Sequence, residues 1–92
     1  MVMQITSGTT PVIVFLMVSS TDDKTAVTGL TPAVTLSKAG GAFAAATNAV
    51  SEIGSGFYKV TLTATESNTV GALAVIATAT GADAWRDIHQ VI

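Results

Sequence analysis

Seven consecutive apolar residues, Val12-Ile13-Val14-Phe15-Leu16-Met17-Val18, follow directly on Pro11. A helix crossing a bilayer needs about twenty such residues, so this run is too short for one. No basic segment precedes it, which argues against a signal peptide. Its β-branched content and length read as a strand, and a proline is tolerated where a strand begins. A strand with one buried face alternates apolar and polar residues, and this one does not. A two-layer sandwich covers only one face of each sheet. The other face of this strand is therefore expected to be buried against a partner, because an exposed apolar stripe is an aggregation liability. The sequence leaves the phase open between Ile13/Phe15/Met17 and Val12/Val14/Leu16/Val18. The interface is expected to use Ile13, Phe15 and Met17.

The rest of the chain repeats the strand pattern. Val2 to Thr6 reads as a short first strand before the Ser7-Gly8-Thr9-Thr10 turn. Ala33 to Lys38 alternates, with Val34 and Leu36 on one face. Ala42 to Ala46 is Ala-rich, yet its neighbours favour a weak extended segment over a helical turn. Val50 to Ile53 forms a further short strand. Gly54-Ser55-Gly56 then turns into Phe57 to Thr63, where Tyr58, Val60 and Leu62 point inward and Lys59, Thr61 and Thr63 outward. Thr65 to Asn68 is suited to capping a single helical turn. Ala72 to Thr80 places Leu73, Val75 and Ala77 on one face, and Trp85 to Ile92 closes the chain. About seven strands at this spacing, with connections too short for parallel crossovers, predict a single all-β sandwich domain over residues 1–92.

Composition narrows the function classes. The chain has 92 residues, 49% of them hydrophobic and 11% charged, which is too apolar and too weakly charged for disorder. The net charge is −2, and Lys24, Lys38, Lys59 and Arg86 are scattered singly. Nucleic-acid binding and anionic membrane surfaces both call for clustered cations, so neither is expected as a partner. The absence of cysteine removes disulfides, thiolate metal sites and cysteine nucleophiles.

Candidate sites are few. His89 is the lone histidine, and Asp87 shares its face if the segment is a strand. No G-x-S-x-G elbow or comparable serine context accompanies them, so His89 is expected on the surface of a terminal strand and catalysis is not expected. Asp22-Asp23 reads as a solvated loop, since adjacent acids point apart and calcium takes six to eight oxygens. Gly40-Gly41 and Gly54-Ser55-Gly56 join strand-like segments and lack the following helix and lysine of a phosphate loop. No cofactor is expected. Trp85, beside Asp83, Arg86 and Asp87, is the best candidate for an exposed aromatic that stacks on a sugar or a protein. The apolar start, Met1-Val2-Met3-Gln4-Ile5, can pair within the fold or extend onto a neighbour. Met1, Met3 and Trp85 therefore join Ile13, Phe15 and Met17 as expected interface residues.

Three segments carry a resemblance. They are Thr28-Gly29-Leu30-Thr31-Pro32 running on to Gly40-Gly41-Ala42-Phe43, Gly54-Ser55-Gly56-Phe57-Tyr58-Lys59-Val60-Thr61-Leu62-Thr63-Ala64, and Ala79-Thr80-Gly81-Ala82-Asp83. Their order over most of the chain resembles small virion proteins of bacteriophages and prophages. The resemblance implies an Ig-like or prealbumin-like sandwich without catalytic function, located in a virion assembled in the host cytoplasm. It would serve as a capsid decoration (cement) protein, or as a tail, neck or baseplate module. The implied partner is the major capsid protein or another virion protein. Self-association is implied too, with a trimer at a local threefold as one form. A glycan-binding attachment module is the alternative from another class.

Overall fold

Gly, Pro and Asn punctuation divides the chain into short extended segments, and the computed structural model, described for residues 4–92, pairs eight of them into two sheets. The strands are β1 (Gln4–Ile5), β2 (Val12–Leu16), β3 (Ala33–Lys38), β4 (Ala44–Ala45), β5 (Ser51–Gly54), β6 (Phe57–Thr61), β7 (Gly71–Thr78) and β8 (Trp85–Val91). The larger sheet has the order β1-β8-β7-β3-β4 and the smaller one β2-β6-β5. All pairs are antiparallel except β1–β8, which is parallel through Gln4↔Gln90 and Ile5↔Val91. Strands β8-β7-β3 facing β2-β6-β5 reproduce the division of an immunoglobulin-type sandwich into its GFC and BED sheets.

Alternation decides what lies between the layers. Ile13, Phe15 and Met17 from the β2 region meet Tyr58, Val60 and Leu62 on one side of the core. Val34, Leu36, Leu73, Val75, Ala77 and Val91 come from the facing sheet, with Ile5 beside them. Phe15 and Tyr58 stack with ring centroids 5.9 Å apart, and Trp85 lies 5.5 Å from Phe15. The Tyr58 hydroxyl donates to the Val27 carbonyl at 2.8 Å and accepts from Leu30 N–H at 3.2 Å. A core ring thereby holds the long β2–β3 connection.

The only helical geometry expected from the sequence falls slightly earlier than its expected cap. Glu66 and Ser67 donate backbone bonds to Thr63 O at 3.1 and 3.3 Å. Thr63 and Glu66 form a reciprocal capping box: Thr63 N–H donates to Glu66 Oε1 at 2.8 Å, and Glu66 N–H donates to Thr63 Oγ1 at 3.2 Å. The other carboxylate oxygen of Glu66 accepts from Thr47 N–H at 2.8 Å, which ties this turn to the chain after β4.

The structure corrects one central expectation. Ile13, Phe15 and Met17 are 1%, 2% and 0% exposed, so these expected interface residues belong to the core. The outward set on this strand is Val12, Val14 and Leu16. Met1 and Met3 lie outside the described residues.

Candidate interaction surface

Antiparallel pairing of β2 with β6 builds the outer face of the small sheet. Val12 stands opposite Thr61, Val14 opposite Lys59, and Leu16 opposite Phe57. Val12, Val14, Leu16 and Phe57 are 37–49% exposed. Ile53, 56% exposed, sits at the β5 bulge that pairs Gly54 with Phe57. Lys59 is the single charged residue of β2 and β6 together. The side chains of Val12, Val14, Leu16 and Phe57 cannot reach the core, because their alternate neighbours already fill it.

The sequence contained the signal for Phe57. Lys59 and Thr61 are expected outward, and the same alternation carries Phe57 with them. Alternation does not assign Ile53, because the register shift between Glu52 and Gly54 breaks it at that point.

A groove of about 350 Å³ runs along β2, bounded by Val12, Val14, Leu16 and Phe57 on one side and Trp85, Asp87 and His89 on the other. The last three share the inner face of β8. Trp85 is half-buried and packed on Phe15, so its ring is less available than the sequence suggested. His89, expected on the surface, is buried at 5% exposure, with its ring 6.5 Å from that of Trp85. Burial pushes the imidazole below its usual pKa, and the Asp87 carboxylate opposes that shift.

The other polar candidates perform local structural work. Asp22 accepts from Lys24 N–H at 3.0 Å and Thr25 N–H at 2.9 Å, and from the Thr25 hydroxyl. The hydroxyl bond leads these interactions in pulling its pKa down to about 2. Asp83 is raised, first by a hydrogen bond with the Asp23 carboxyl, which a shared proton allows. Ser67, fully buried, donates its hydroxyl to Thr9 O at 2.5 Å. Among the described residues no group of three or more His, Asp or Glu side chains could hold a metal ion. The geometry therefore offers an apolar face and a strand edge.

The large sheet has an apolar outer trough of its own, floored by Ala74 and Ile76 and flanked by Phe43 and Ile88. Phe43 and Ile88 are 50% and 55% exposed. Arg86 stands at the side of the trough and Gln90 beyond Ile88.

Comparisons with family models, with curated proteins and with solved structures find no match to this chain.

Proposed function

We propose that this chain is a non-enzymatic structural protein of a bacteriophage particle, a capsid decoration protein that docks on the major capsid protein through the outer face of its small sheet. The observation that carries the reading is the exposure of Val12, Val14, Leu16 and Phe57 along one groove of the small sheet, with Ile53 also exposed at the β5 bulge. Monomeric proteins rarely leave such patches uncovered. A standard interface buries about 800 Å² on each partner. The chain exposes 5032 Å² in all, so one face of one sheet is of sufficient order. A surface with Lys59 as its sole β2–β6 charge docks with little ion desolvation. The phage setting comes from the resemblance in the loop and strand segments described above.

The test adds purified chain to particles lacking it and measures bound copies by quantitative mass spectrometry. The expected result is saturation at a simple fraction of the major capsid protein, with Phe57→Asp reducing occupancy at least tenfold while circular dichroism stays unchanged. Saturation at a few to a few tens of copies instead indicates a tail, neck or baseplate adaptor. Unchanged occupancy with Phe57→Asp overturns the assigned surface. Occupancy lost with Trp85→Ala in a cell-attachment assay alone indicates the glycan module.

A further inference from the structure

Among the described residues the two sheets have four outermost strands, β1, β2, β4 and β5, and two of them, β4 and β5, are blunted against receiving another strand. β4 has two residues. β5 carries the charge of Glu52 and a bulge beside it. Short length, charge and bulges are the devices by which natural sheets block edge-to-edge pairing. β2 has none of them. Its five residues are uncharged, contain no proline and hold unbroken register against β6.

The hydrogen-bond phase shows which backbone groups face off that edge. Leu62 N–H donates to Pro11 O at 2.8 Å, and Met17 N–H donates to Gly56 O at 2.9 Å. In an antiparallel ladder bonding alternates, so the odd-numbered residues of this segment are the ones bonded towards β6. The N–H and C=O groups of Val12, Val14 and Leu16 therefore point outward along the sheet plane. They belong to the same residues whose side chains form the apolar outer row.

We infer that β2 pairs antiparallel with β2 of a second copy, about a twofold axis at Val14. This rests on the proposal that the small sheet carries the interaction surface, and it names one partner. A second copy satisfies this edge in both backbone and side chains. The edge's outward groups are symmetric about Val14, so antiparallel pairing centred there sets Val12 against the partner's Leu16 and Val14 against the partner's Val14. Each outward N–H then meets an outward C=O. Every cross-strand pair on the outer face is apolar, and no like charges meet, because the strand has none. The twofold joins two three-stranded sheets into one, β5-β6-β2-β2-β6-β5, and merges their apolar faces into a single docking surface. The groove beside β2, bounded on the facing layer by Trp85, Asp87 and His89, is the space the incoming strand enters.

The experiment is sedimentation equilibrium of the full chain over a concentration series, with amide exchange read residue by residue. The expected species has twice the chain mass of 9.3 kDa, with slowed exchange at Val12, Val14 and Leu16. Val14→Pro removes an N–H that does not bond β6, and Val14→Lys keeps the backbone while setting like charges opposite across the axis. Each variant is expected to sediment as a single chain with the circular dichroism of the parent. The lysine variant covers the case in which proline impairs folding. A monomer at every concentration, a trimer, or a dimer that both variants leave intact overturns the pairing. A monomeric chain that still binds particles through Phe57 sinks the pairing alone. A β2-paired dimer that never binds particles sinks the docking proposal alone.

Discussion

Phe15 shows how one position decides the reading of a strand. Its ring touches both Tyr58 and Trp85, and it is 2% exposed. Removing it would empty the middle of an aromatic cluster that spans both layers. Phe15→Ala is expected to cost about 3–5 kcal/mol, the usual range for deleting a buried aromatic ring. Urea denaturation with a two-state fit measures this. A loss below about 1 kcal/mol, the scale of ordinary surface changes, would mean that the ring is not in the core. The sequence could not supply this assignment, because every residue from Val12 to Val18 is apolar and alternation has nothing to alternate with. His89 escaped sequence reading for a related reason. A histidine near a terminus ordinarily signals surface, and only the pairing Leu73↔His89 turns it towards the core.

At the scale of elements the strands were legible wherever polar and apolar residues alternate. Val34 and Leu36, Tyr58 and Val60, and Leu73, Val75 and Ala77 all face inward as their spacing requires. The weak extended segment around Ala44 is β4, and the all-β sandwich class follows from these segments together. What alternation does not encode is which strands become edges, since that depends on partners distant in sequence. The β5–β6 hairpin supplies an element-level test. Ser55 and Gly56 have φ of +56° and +87°. A Cβ added at Gly56 would lie 2.6 Å from Ala26 Cβ and 3.3 Å from Leu16 Cδ1, so the glycine is required both by its φ and by the close approach of the β2–β3 connection. Gly56→Ala is expected to destabilise by more than 1 kcal/mol, beyond the backbone penalty alone, and to lower the melting temperature by several degrees. Gly81→Ala is the control: φ there is +83° with nothing within 4 Å, so it has the backbone penalty without the clash. Equal losses at the two positions would show that the Ala26 contact carries no weight.

The whole molecule has few titratable groups, so its pH–stability profile can be assigned to individual residues. Burial lowers the His89 pKa below its ordinary 6.5. The unfolded chain therefore takes up a proton near pH 6.5 that the folded chain refuses, and stability falls as pH drops through that value. The decline from this group ends once pH is below the folded pKa. Asp22, held at about 2 by its bonds to Thr25 and Lys24, acts at lower pH. Its contribution is present above the unfolded value of 3.8 and is lost as pH falls towards 2. Asp83 has the opposite sign. Its raised pKa favours the folded state while protonated, and that contribution disappears as pH rises through the folded value. The expected profile therefore shows a melting temperature that begins to decrease as pH falls through 6.5. His89→Gln should flatten that limb whatever it does to the absolute stability, because the slope depends on the difference in bound protons between the two states. Proton NMR of the imidazole in the intact fold provides the independent check, with titration below 6.5 expected. A limb that survives the substitution, or an imidazole titrating at or above its ordinary value, would move the acid sensitivity away from the buried face of β8.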